Sequence, residues 1–373
     1  MESRTKGYFI AMGVLALVII ALVFLNAGQQ ISSAPKEILE ECKTLHYHDE
    51  EAINLVFFSP EEEAKDYSDY LIKSEPFDKY HDAFNFFFID SYKPECELYK
   101  GIAIYCHSRD LIKKAASCPY DYIVVLDEMK SKIRSSAYKN VMSINTKHPL
   151  SVFLHEFGHS FSNFAEEYIP AKIPRGSKNC KSDCEKFEEE VDGCFEGCSN
   201  SRYYRSIENG VMRTLATDDF GIYNDNLIAE LIENSVPTDL QITGNAVKWE
   251  TFPDCSKQEY ILFTTEKQAD GTFKEISKKR ERGCAPRNLL AGDYYYKINE
   301  DGQKYFSNSV HAEGPISSEN LMMQGIVEDS KTLSLAIQDT KKTAKKVSLY
   351  DSENNMLGEF RLTNTGAKLC QIN

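Results

Sequence analysis

His155-Glu156-Phe157-Gly158-His159 closes the apolar run Leu150-Ser151-Val152-Phe153-Leu154, and the rest of the chain is read outward from this stretch. Two histidines four residues apart project from one helical face, one turn above the other, so their imidazoles can grip a single metal ion. Glu156 lies between them and can act as a general base on a water at the metal without being a ligand. Two ligands, a base and an open coordination position are what a zinc hydrolase needs. The plain alternative is a surface helix turn with two solvated histidines. The residues that follow argue against it.

Those residues are Ser160-Phe161-Ser162-Asn163-Phe164-Ala165-Glu166-Glu167-Tyr168. A third ligand so soon after His159 requires the helix to stop and the chain to turn back under the metal. Serine and asparagine are mediocre helix formers, and asparagine tolerates the left-handed conformation used at helix C-termini. Glu166 and Glu167 then arrive within reach. In an extended segment their side chains point to opposite sides, so only one should ligate.

Read together, HEFGHSFSNFAEEY (His155 to Tyr168) resembles the active-site segment of the IgA-specific metalloendopeptidases, whose usual form follows HEFGHSF with Gly-Leu-Ala-Asp-Glu-Tyr. Upstream, the runs Ile53–Phe58, Pro76–Tyr80, Phe84–Phe88 and Tyr122–Leu126 fall in the order that family shows. Downstream, Asn209-Gly210-Val211-Met212-Arg213 is similar to the methionine turn beneath the zinc of related proteases. The resemblance spans residues 51–235 and is closest at the zinc helix. It implies an α/β (α+β) zincin-like protease domain with Met212 in the methionine turn. Zn2+ would be held by His155, His159 and Glu166, with Glu167 as the alternative third ligand and Glu156 catalytic. The chain departs from the family twice: Asn163 stands at the turn glycine, and Glu166 stands at the aspartate position.

The N-terminus bears on location. Tyr8 to Leu25 has no charged or strongly polar residue, and as a helix it would span about 27 Å, close to a bilayer's hydrocarbon thickness. A cleavable signal has a shorter apolar core, and Asn26-Ala27-Gly28 is a weak cleavage site. The expectation is a single transmembrane signal anchor. Arg4 and Lys6 would keep the short end in the cytoplasm and place the C-terminal ectodomain outside the cell. Secretion after signal cleavage is the alternative.

Eleven cysteines fit an oxidising compartment. Cys180 and Cys184 are four apart, as are Cys194 and Cys198. If each pair lies on one helical face, nested bridges Cys180–Cys198 and Cys184–Cys194 would staple two antiparallel helices. A four-thiolate zinc site is the rival, although structural zinc usually prefers two-residue spacings. Cys96, Cys106 and Cys118 fall in one region and Cys255 and Cys284 in the next, so local pairing is expected in each. The odd total leaves one over, and Cys42 is the candidate for an intermolecular disulfide.

With 43 basic and 57 acidic residues the net charge is −14, which disfavours nucleic acid and suits a soluble ectodomain. Residues 1–6 read as a cytoplasmic end, 7–26 as the anchor, 27–50 as a polar stalk and 51–238 as the zinc metallopeptidase domain. In that domain strand-like runs alternate with helix-compatible stretches such as Pro60–Lys73 and Leu111–Ala116. Asp218–Ser235 reads as its last helix. Residues 239–315 carry short strands with the lone Trp249 and Gly292-Asp293-Tyr294-Tyr295-Tyr296, and resemble a fibronectin type III β-sandwich module. Residues 316–373 form a small β-rich end.

Other residues carry blander readings. His46 and His48 are solvated stalk residues rather than a second metal site. Phe84–Phe88 is a buried strand with Asn85 as its polar interruption. Lys278–Arg282 is a mixed-charge loop. Tyr223 and Arg213 could face an oxyanion but are not assigned. The expected activity is a membrane-anchored extracellular zinc metalloendopeptidase acting on protein or peptide substrates. The alternative is a surface adhesion or binding protein with a degenerate, inactive protease domain.

Overall fold

Eight strands build the main sheet: β1 (Lys43–His46), β2 (Ile53–Phe58), β3 (Phe84–Ile89), β4 (Tyr122–Asp127), β5 (Ser136–Tyr138), β6 (Val141–Asn145), β7 (Ser309–Ala312) and β8 (Ile326–Asp329). The computed structural model describes residues 39–187, 190–236, 252–312 and 326–363. Contacts divide the chain between Leu39 and Glu40, and every element named belongs to the second unit, Glu40–Asn373.

The strands lie in the order β1-β3-β2-β4-β6-β5-β7-β8. The four central ones, β3, β2, β4 and β6, run parallel, and the remaining joins are antiparallel. A parallel centre is covered on both faces, which is why INLVFF and FNFFFI are almost unbroken apolar runs. Alternation along each strand sorts these residues between two cores. Ile53, Leu55, Phe57, Phe84, Phe86 and Phe88 enter one, and Val56, Phe58, Phe87 and Ile89 enter the other. Asn85 is buried in β3, where its amide donates to Asn54 Oδ1 at 3.0 Å and its carbonyl accepts from the His48 N–H at 2.6 Å.

Four α-helices accompany the strands among the described residues: α1 (Glu61–Leu71), α2 (Arg109–Ala115), α3 (Ser151–Ser162) and α4 (Ile222–Glu233). Helices α1, α3 and α4 cover the first face through Tyr67, Phe153, Phe157 and Ile228. The second face takes Leu111 and Ile112 of α2 together with Tyr260 and Leu262 from the strand Glu259–Lys267. That strand buries both its sides. Ile261 and Phe263 point the other way, into a third core with Tyr294, Tyr296, Leu335 and Val347. This core lies between a three-stranded sheet (Phe273–Arg282, Glu259–Lys267, Thr332–Gln338) and a four-stranded sheet (Asp301–Phe306, Tyr294–Ile298, Lys346–Asp351, Met356–Arg361).

The expected fold class is corrected. Nineteen strands stand against four α-helices among the described residues, so the chain is mostly β rather than an α/β-ordered domain with a β tail. Nor is the downstream β-rich region a free-standing sandwich: β7 extends the main sheet at β5, and β8 extends it at β7. Strand patterning reports that a segment is extended but not which sheet it joins, so this pairing was not legible. No helix among the described residues is long and apolar enough to cross a membrane. The anchor expected at Tyr8–Leu25 and Trp249 of the expected module both lie outside the described residues.

The cysteines require two further corrections. Cys42 bonds Cys118 within the chain, so the expected intermolecular disulfide is not supported. Lys43–His46, read as stalk, is the edge strand β1 against β3. Cys180–Cys198 and Cys184–Cys194 form the nested bridges drawn from spacing. They staple no helices: Cys184 starts a short 3-10 turn and Cys198 ends a strand paired with Asn200–Arg205. Cys96–Cys106 and Cys255–Cys284 complete five bridges, and the eleventh cysteine, Cys370, lies outside the described residues. The run Lys278–Arg282 is not a loop but the end of the strand Phe273–Arg282.

Candidate metal centre

Helix α3 is buried along its whole length, because its apolar residues face the sheet and its polar ones face the loops that follow. It ends at Asn163, which adopts the left-handed conformation at φ 54° and ψ 34°. Asparagine does this at modest cost, whereas a β-branched residue would be strongly disfavoured. The reversal carries Phe164 back under the helix, where its carbonyl lies 2.7 Å from His159 Nδ1. A second loop returns at residues 210–214, and the Val211 carbonyl lies 2.8 Å from His155 Nδ1. The neighbouring Met212 sits against Gly158: a Cβ there would stand 2.6 Å from the Met212 sulfur. The helix and the turn at Met212 therefore touch only because residue 158 has no side chain.

These carbonyls orient both histidines. A carbonyl can only accept, so each Nδ1 carries a proton and each Nε2 is turned to the site. The two Nε2 atoms face each other at 3.1 Å. Glu166 completes the group, with one carboxylate oxygen 3.2 Å from His155 Nε2 and the other 3.2 Å from His159 Nε2. Two imidazole nitrogens and a carboxylate converging in a buried site are held together by protons or by a metal cation among them. Around a tetrahedral zinc with bonds of about 2.05 Å, two ligand atoms stand roughly 3.3 Å apart. The donor set fits a metal ion. His155, His159 and Glu166 form the only such group found among the described residues.

Glu166 and Glu167 separate as an extended segment requires. Both are fully buried. Burial alone would raise the Glu166 carboxyl, but His159 and His155 reverse this and hold it well below the usual carboxylate range. The Glu167 side chain turns to Asn224 Nδ2 at 2.9 Å and Asn179 Nδ2 at 3.1 Å. Burial raises its pKa to about 7 despite these donors and the nearby Arg205 and Arg213. Asn179 also clamps Ala165, accepting from its N–H at 2.8 Å and donating to its carbonyl at 2.9 Å. The Ser199 hydroxyl donates to the Glu166 carbonyl at 2.6 Å. The Cys180–Cys198 bridge packs against Ala165 and so ties this ligand loop down.

Glu156 is fully buried on α3. Arg213 donates to the Glu167 carbonyl at 3.2 Å, and Tyr223 packs edge-on against Phe187. His46 and His48 stand apart from the centre beside Asp69 and Asp82. Sequence reasoning did not single out Asn179, Asn224 or His311. The ring of His311 stacks on His159 with centroids 4.1 Å apart, and burial, then His159, holds its pKa well below the ordinary histidine value. Only a histidine between the apolar residues Val310 and Ala312 could have drawn attention to it.

Comparison with known proteins finds no matching family and no similar curated protein.

Proposed function

We propose that the chain is a zinc metallopeptidase acting on extended peptide segments outside the cell. The observation that carries this reading is the convergence of both Nε2 atoms and the Glu166 carboxylate, each imidazole oriented by a backbone carbonyl. Two histidines and one carboxylate are a catalytic rather than a structural zinc set, because they leave a coordination position over. Zinc bound there would supply a Lewis acid that polarises a carbonyl and acidifies water. Glu156 would take the proton from the attacking water and return it to the leaving amine. Glu167, held by Asn179 and Asn224, would position Glu166 through the adjoining backbone. The likeness of residues 155–168 to the IgA-specific metalloendopeptidases supports the same activity. Five disulfides support an oxidising compartment.

The test is metal analysis of the purified chain alongside its Glu156→Gln variant, both assayed on a denatured protein substrate. Glu156→Gln should keep one zinc and lose at least ~100-fold in hydrolysis, the order expected for a general base. Zinc binding with hydrolysis that does not depend on Glu156 would overturn the mechanism. Zinc without any hydrolysis in an open site would favour a binding protein.

A further inference from the structure

His311 takes no part in the reaction just described, yet it lies against the centre. It belongs to β7, where it pairs with Ala137 of β5. The residue is 2% exposed, and neither ring nitrogen has a hydrogen-bond partner among the described residues. Buried polar atoms are almost always partnered, so an imidazole orphaned at both nitrogens marks an interaction that the described residues do not supply. The groups acting on it electrostatically are His159, Glu166, His155 and Lys172, in that order. Three of the four are the metal-binding group.

The strand that carries it has the form of a bound peptide. Extended peptides are commonly recognised by addition to a sheet edge. β7 adds antiparallel to β5 through Val310–Tyr138, His311–Ala137 and Ala312–Ser136. Because His311 pairs with Ala137 and also stacks on His159, this ladder passes directly beside the metal ligands. His155, Glu156, His159 and Glu166 are each at most 2% exposed, so in this conformation a peptide cannot reach them.

We propose that Ser309–Ala312 is an internal strand held where an extended peptide substrate would lie, with His311 stacked on His159 as the side chain that covers the metal-binding group. The chain folded this way is the closed form of the hydrolase. This inference rests on the hydrolase reading, but its test does not depend on turnover.

The full chain and its His311→Ala and His311→Phe variants would be loaded with Co2+ and titrated with acetohydroxamate while the visible spectrum is recorded. Phenylalanine keeps the covering ring, so this variant separates loss of the cover from loss of the ring nitrogens. The wild-type spectrum should not respond to millimolar hydroxamate. His311→Ala should respond and should hydrolyse short peptides at least ten-fold faster, whereas His311→Phe should behave as the wild type. A wild-type spectrum that responds as readily as that of His311→Ala would overturn the proposal. So would unchanged hydroxamate binding with hydrolysis lost in both variants, which would make His311 a catalytic residue. A hydroxamate response confined to His311→Ala, with no hydrolysis anywhere, would support the cover over the metal-binding group and sink the peptidase reading instead. Comparison of Glu156 with Gln is best made in the His311→Ala background.

Discussion

Metal binding should be visible as thermal stability, and its size can be worked out. His155 and His159 turn Nε2 toward each other and toward Glu166, each ring held at Nδ1 by the carbonyl of Val211 or Phe164. The unfolded chain cannot present this arrangement, so zinc binds the folded state selectively. At a free zinc concentration a thousand times Kd, the linkage stabilises the fold by about 4 kcal/mol. Unfolding entropy near 60 °C is about 2.1 cal/mol/K per residue, hence roughly 0.7 kcal/mol/K for the unit Glu40–Asn373. The expected rise in Tm is therefore about 6 °C. Differential scanning calorimetry of the chelator-stripped chain, with and without added zinc, measures it. Glu156→Gln should show the full rise and His155→Ala none. An equal rise in His155→Ala, or no rise in the wild type, would refute the assignment of these three residues as the metal group.

The remaining predictions concern neighbours of the centre and the frame. Glu166→Ala should abolish stoichiometric zinc, whereas Glu167→Gln should retain it with affinity lowered about 10–100-fold, as for loss of a group that orients a ligand; isothermal titration would separate them, and the reverse order would move the ligand to Glu167. Replacing Cys42 and Cys118 by serine opens a loop of 76 residues, for which the chain-entropy model gives a loss of about 4.5 kcal/mol, readable by urea unfolding. Lys139 is buried, its ammonium donates to the Ser334 carbonyl at 2.8 Å, and burial brings its pKa down to about 7. The unfolded chain binds this proton up to its ordinary pKa near 10.5, so stability from this group rises with pH between those values, by at most about 1.4 kcal/mol per unit. Lys139→Met should flatten the wild-type increase between pH 7.5 and 9.5; an unchanged slope would mean that the lysine stays charged in the fold.

What the sequence determined by itself was local. Helical periodicity put His155 and His159 on one face, a poor helix former at Asn163 ended the helix, and two-residue alternation allowed only one of Glu166 and Glu167 to reach the metal-binding group. The spacing of Cys180, Cys184, Cys194 and Cys198 likewise foretold their nesting, although not the turns and hairpin that carry them. Each of these depends on geometry within a few residues, where the backbone offers few choices. Pairings across long separations were settled only by tertiary structure. The Val211 carbonyl orients His155, Asn179 and Asn224 occupy Glu167, Cys42 finds Cys118, and β7 joins the main sheet to bring His311 onto His159. A strand's pattern states that it has a face to bury, and many edges could bury it equally well. Which edge it takes depends on how the two cores of the main sheet and the third, downstream core close around the shared strand Glu259–Lys267, and no local pattern contains that information.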